Sequence, residues 1–134
     1  MTIEAQYLCP LLQVFDMPAS LRFYRDVLGF EVVDTSDGEG DRIDWVWLEL
    51  GEASLMLNTA YEQEHRPAEP DPARFAAHDD TSLYIGCSDV DAVYRHLHER
   101  GVPAKMPTVA PYGMKQLHVS DPDGFRICFQ QRVK

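Results

Sequence analysis

Basic residues are scarce. Twelve Lys and Arg stand against 22 Asp and Glu in 134 residues, a formal charge of −10. A phosphate backbone requires a basic face, so nucleic acid is not an expected partner. Cysteine is scarce as well. Cys9, Cys87 and Cys128 are odd in number, far apart and in no CxxC spacing. That excludes a disulfide framework and points to a reducing cytoplasm. No apolar run approaches the ~18 residues of a membrane helix, so no membrane partner is expected. The opening MTIEAQ has neither a basic nor a hydrophobic leader stretch, and a chain without a signal peptide is expected. An acidic surface suits cationic ligands, and it equally suits simple solubility. The 45% apolar and 25% charged content is that of an ordinary globular domain.

Several segments carry clear local signals. HVSDPDGFRICFQ, residues 118–130, reads as strand, tight turn and strand. In Asp121-Pro122-Asp123-Gly124 the proline presets φ and the glycine takes a positive φ. In the returning strand Phe125, Ile127 and Phe129 point one way, and Arg126, Cys128 and Gln130 the other. Upstream, residues 6–15 read as a strand and 17–28 as a helix. Asp16 caps that helix, Pro18 suits its first turn, Leu21, Tyr24 and Leu28 share a face, and Gly29 ends it. Residues 30–35, 42–50 and 53–59 read as strands, with a turn at 36–41.

The order then recurs. Residues 81–87 read as a strand and 89–100 as a helix capped by Asp89, with Val90, Val93 and Leu97 on one face and Gly101 closing it. Residues 102–108 make a poor strand with two prolines, and 112–120 and 125–131 form the last hairpin. Asp16 to Asp89 is a lag of 73 and Gly29 to Gly101 a lag of 72, so β-α-β-β-β occurs twice by duplication. The expected fold is α+β: one domain over 1–134, with module one at 6–59, a linker at 60–80 and module two at 81–131. The linker is rich in Pro, acid and Ala, and Tyr61, Phe75 and His78 are its candidate ligand-facing groups.

The strand faces divide sharply. Leu8, Leu12, Val14, Val46, Leu48, Leu50, Leu55, Leu57, Leu83, Ile85, Leu117 and Val119 join the Phe/Ile/Phe face as core. The opposite faces mix Cys9, Leu11, Gln13 and Phe15 with Ile43, Trp45, Trp47 and Glu49, and with Ser54, Met56 and Asn58. In the second module they mix Ser82, Tyr84 and Gly86 with Met114, Gln116, His118 and Ser120, beside Arg126, Cys128 and Gln130. Apolar and aromatic surface with a few convergent polar groups is the composition of a ligand cavity. The same face could instead pack on another subunit or close a second core.

LLQVFDMPASLRFYRDVLGFEV, followed by PYGMKQLHVSDPDGFRICF, resembles the vicinal oxygen chelate superfamily of glyoxalase I, extradiol dioxygenases and bleomycin resistance proteins. The resemblance spans essentially the whole chain, with FYRDVLGF and DPDG as its specific parts. It implies two tandem βαβββ modules whose curved mixed sheets enclose a cavity, commonly completed in a homodimer. Metal-dependent members place His, Gln or Glu at four cavity positions. Carried over by register, these are Cys9, Met56, Ser82 and Cys128. Met and Ser are poor ligands for Ni²⁺, Zn²⁺ or Fe²⁺, although two thiolates could hold a soft ion. The expectation is therefore a vestigial site and no cofactor.

Among metal-free members, the bleomycin resistance proteins are similar: small, acidic, dimeric, and binders of a cationic aromatic drug that they leave unaltered. By that analogy Phe15, Trp45, Trp47 and Tyr84 stack on flat rings, and Glu49 meets a cation. Gln116, His118 and Arg126 supply hydrogen bonds, with Met56, Ser82, Met114 and Cys128 completing the ligand-binding set. His118 is also a weak catalytic candidate, as a general base or beside a cavity cysteine. His65, His96 and His98 read as loop or exposed helix residues. Three functions compete. The first is a metal-free, drug-sequestering binder of an aromatic or cationic small molecule. The second is an enzyme, either a metal-dependent lyase or dioxygenase or a metal-free one using His118, Arg126 or Cys128. The third is a homodimer whose second face is simply an interface.

Overall fold

An alternating strand buries one face and leaves the other free, and that rule organises both halves of this chain. The computed structural model describes residues 1–36, 38 and 42–133. In the first half β1 (Leu11–Val14) leads into α1 (Met17–Leu21), then β2 (Glu31–Thr35), β3 (Trp45–Leu50) and β4 (Ala53–Thr59). A connecting segment holds α2 (Pro72–Ala77). The second half runs β5 (Ser82–Gly86), α3 (Val90–Glu99), β6 (Thr108–Val109), β7 (Met114–Ser120) and β8 (Arg126–Arg132). Each half forms a four-stranded sheet, in the orders β1-β4-β3-β2 and β5-β8-β7-β6. β1 runs parallel to β4 and β5 parallel to β8, and the other pairs are antiparallel. This is the doubled βαβββ order of an α+β chain. The chain clusters into two compact units, Met1–Ala68 and Glu69–Lys134.

In the first unit Asp16 caps α1 by accepting the Ala19 N–H at 3.2 Å. Past Leu21 the helix widens through Arg22–Val27, where the Leu28 N–H donates to the Phe23 carbonyl five residues back. The wider turn brings Phe23 and Tyr24 edge-to-face, and Tyr24 edge-to-face with Phe30. α1 contacts β4, and Leu12, Val14, Val46, Leu48, Leu55 and Leu57 bury on the inner side. In the second unit Asp89 caps α3 through the Ala92 N–H at 3.0 Å, and α3 contacts β7 and β8. Val90, Leu97, Leu117, Val119, Phe125, Ile127 and Phe129 form that core.

Several expectations are corrected. The strand expected over 6–15 is paired only over Leu11–Val14, and Leu8, assigned to the core, is 85% exposed. Pro10 has no N–H to give a sheet, and its carbonyl accepting from the Met56 N–H marks the start of the pairing. Cys9 therefore lies outside the strand. Residues 42–44 are likewise not part of β3. The turn expected at 36–41 falls mostly on residues 37 and 39–41, outside the described set. The poor strand at 102–108 pairs only at Thr108–Val109, because Pro103 and Pro107 cannot donate. The linker holds a short helix. Asp71 accepts the Ala73 N–H at 2.9 Å and Pro72 opens α2.

α2 serves the β7–β8 turn. The buried Asp121 carboxylate accepts from the Asp123 N–H at 2.9 Å and the Phe125 N–H at 2.8 Å. Arg74 pairs with the buried Asp123 at 2.8 Å. His78 stacks on Phe125 at 3.8 Å, with its Nδ1 2.7 Å from the Asp123 carbonyl oxygen. Phe75 lies against the turn so closely that a Cβ on Gly124, at φ +87°, would sit 2.6 Å from the Phe75 carbonyl oxygen. Phe75 and His78, the candidate ligand-facing groups of the linker, thus pack on the turn. Gly51 also has a positive φ, +57°, but open space around it. Gly51→Ala should cost about 1–2 kcal/mol. Gly124→Ala should cost clearly more, and urea unfolding of the two variants checks the order. Equal costs would mean that the α2 contact carries no weight.

Candidate functional site

The free face of each sheet is set by register. In the first unit Trp45 pairs with Asn58, Trp47 with Met56 and Glu49 with Ser54. β1 adds Leu11 beside Met56 and Gln13 beside Asn58. Trp45, Trp47, Glu49 and Met56 thus share one face, as the alternation requires. Glu49 is also cross-strand from Glu31, and Asp34 from Trp47 after a bulge between Val32 and Asp34. Tyr7 meets the Trp47 ring edge-on at 5.6 Å. The Trp47 Nε1 is buried with no hydrogen-bond partner among the described residues. Phe15 lies just past β1, 6.2 Å from the Tyr61 ring and beneath the Arg66 guanidinium at 5.7 Å. Tyr61 therefore packs on Phe15, one of the expected stacking residues.

In the second unit three rungs cross the free face. Ser82, Arg126 and Ser120 make one; Tyr84, Cys128 and His118 the next; Gly86, Gln130, Gln116 and Thr108 the third. A groove of about 860 Å³ opens on this face, within the range of small-molecule sites. Of the expected site residues, Gln116, His118 and Arg126 line it. Ser82, Tyr84, Met114 and Cys128 do not, although they share the sheet. The far wall is the segment from Val102 to Met106, with Thr108. In the sequence it reads only as a poor strand, with none of its residues expected at a site. Its signal was present: a stretch with two prolines, unable to pair, yet carrying Val102 and Met106.

Hydrogen bonds hold this face in place. The buried Gln116 side chain donates to Tyr112 Oη at 2.8 Å and to Gln130 Oε1 at 3.1 Å. Arg126 Nε lies 3.6 Å from Asp79 Oδ1, with both side chains well exposed. Cys128 is 1% exposed, its Sγ 4.0 Å from His118 Nε2. Burial pushes the Cys128 thiol upward, and a backbone hydrogen bond at Leu117 offsets this only in part. Cys9 is raised too, by desolvation first and by the Glu49 charge second.

A model of the Glyoxalase/Bleomycin resistance protein/Dioxygenase superfamily matches residues 6–129. The chain belongs to this superfamily. Among solved structures it is similar to TnmS3, an antibiotic binding protein from Streptomyces sp. CB03234, at 26% identity and TM-score 0.73, covering 98% of this chain and 99% of that one. A glyoxalase/bleomycin resistance protein from the same Streptomyces is 28% identical with a TM-score of 0.66, over 92% and 97% of the two chains. The bleomycin-binding protein of Streptomyces verticillus, solved with copper(II)-bleomycin, shares the fold at 23% identity and TM-score 0.67, over 96% and 97%. No curated protein matches the chain.

Metal-dependent members of the superfamily raise the question of the four carried-over positions. Met56 offers a thioether and Ser82 a hydroxyl, while Cys9 and Cys128 are thiols held toward the protonated form. That donor set does not fit Ni²⁺, Zn²⁺ or Fe²⁺, which take imidazole and carboxylate or ionised thiolate. Among the described residues no three His, Cys, Asp or Glu side chains group as a metal site.

The buried thiol makes a prediction about pH. The folded state keeps the Cys128 proton, whereas an unfolded thiol loses it near the ordinary value of 9. Stability from this group is therefore full below that pH and declines as pH rises through it. Urea midpoints measured from pH 7 into the alkaline range should fall less steeply for Cys128→Ala than for the parent. Identical slopes would show that Cys128 is not the group responsible.

Proposed function

We propose that this chain is a sequestering small-molecule-binding protein that holds an aromatic ligand without a metal and without chemical change. The observation that carries the reading is the groove on the second sheet: apolar walls, a hydrogen-bonded Gln116, and a size suited to one small organic molecule. The similarity to TnmS3, described as an antibiotic binding protein, supports the same class of function. Trp45 and Trp47 on the free face of the first sheet supply flat surface for stacking. Glu49, cross-strand from Glu31, favours a cationic group at that face. In the groove, basic side chains set the opposite preference. A homodimer is the assembly we infer, and the cytoplasm the compartment. Among the described residues no helix is long and apolar enough to cross a membrane.

An enzymatic reading would draw on His118 and Cys128, whose side chains meet at 4.0 Å. A thiol kept protonated by burial is a poor nucleophile, which favours binding over turnover.

The test is a fluorescence screen of metal-stripped protein with aromatic ligands, followed by mass spectrometry of the recovered ligand. A saturable change in the ligand's own emission and an unchanged ligand are the expected results. Gln116→Leu should weaken binding about tenfold, the effect of one lost buried hydrogen bond. Conversion of the ligand, or binding that needs a stoichiometric metal, would replace the reading with an enzymatic one.

A further inference from the structure

The groove is basic although the chain is acidic. The formal charge is −10, yet the titratable groups lining the groove are Lys105, His118 and Arg126, with no Asp or Glu among its described lining residues. The remaining wall is largely apolar. Lys105 has no carboxylate partner among the described residues. Arg126 has one, and it is informative. Asp79 places Oδ1 3.6 Å from Arg126 Nε, across side chains 45% and 72% exposed. An ion pair that long and that wet contributes little, so it is easily exchanged. It also shows that a carboxylate can reach this guanidinium.

Resting on the small-molecule reading, we propose that the groove takes an organic acid with an apolar body. Its carboxylate is held by Arg126 and Lys105, and Asp79 competes for the same guanidinium. A ligand carboxylate gains two advantages over Asp79. It can meet the guanidinium fork with both oxygens, and it buries an apolar body in the same step. His118, exposed beside Arg126's rung, adds a hydrogen-bond donor. A cation seated in the groove would instead lie against Lys105 and Arg126, with Asp79 already spent on Arg126.

Calorimetric titration of the full chain with naphthalene-2-carboxylate and with its neutral isostere, naphthalene-2-carboxamide, tests the proposal. The acid should bind at least about tenfold more tightly than the amide. Arg126→Gln and Lys105→Gln should each weaken the acid about five- to tenfold and the amide by clearly less. Asp79→Asn should tighten the acid about two- to fivefold by removing the competitor. All three side chains are at the surface, so the variants are expected to fold, and circular dichroism verifies it. Equal binding of acid and amide, or an acid preference untouched by both cation variants, overturns the proposal and leaves the binding reading standing. Weaker acid binding in Asp79→Asn overturns the competition. No saturable binding by either compound overturns both the proposal and the aromatic-binding reading.

Discussion

A buried carboxylate at the β7–β8 turn governs the second half of the chain. Asp121 accepts two backbone N–H groups, from Asp123 and Phe125, and so closes a turn whose polar groups are out of water. An unmet N–H there would cost about 1–3 kcal/mol. The turn sets the hairpin register, and the register puts Arg126 opposite Ser120, Cys128 opposite His118 and Gln130 opposite Gln116. A slip by one residue would carry Phe125, Ile127 and Phe129 out of the core and the groove residues into it. Asp123 extends the same device to α2 through Arg74 and the His78 contact, and that segment ends with Asp79 beside Arg126. Core packing, groove chemistry and the competing carboxylate thus descend from one turn.

The two faces of each sheet are under different pressures. The inner faces are closely packed and apolar, with Val46, Leu48, Leu57 and Ile127 fully buried, so their residue types are set by volume. The outer faces carry tryptophans, amides, thiols and charges, which no core demands. Where those residues are exposed, as His118 and Arg126 are, variation alters chemistry at little cost to folding. That is how one superfamily fold hosts lyases, dioxygenases and binding proteins, and why fold alone does not assign function.

The carried-over metal positions illustrate the point. At the four positions that the resemblance carries over, this chain has a thioether at Met56, a hydroxyl at Ser82 and thiols at Cys9 and Cys128, unlike the imidazole, amide and carboxylate that the resemblance implies for a metal site. Cys128 illustrates it again. It keeps its register on the free face, yet its side chain is buried and its proton held, so it serves packing.

Strand alternation, helix caps and the duplicated element order were legible in the sequence because they depend on neighbours within a few residues. The Asp16 and Asp89 caps, the DPDG turn and the division of β7 and β8 into two faces all follow from local stereochemistry. So do Gln116, His118 and Arg126 as free-face residues. Tertiary structure decided the rest. Leu8 has the right parity for a core position, but the strand pairing stops at Pro10. Phe75 and His78 look free in a loop, but α2 folds them onto the turn. Residues 102–106, which have no period to read, join the groove's lining, and its basic character emerges only when Lys105 is brought into one groove with His118 and Arg126. Local patterns determine which way a side chain points; only the closed fold determines what it points at.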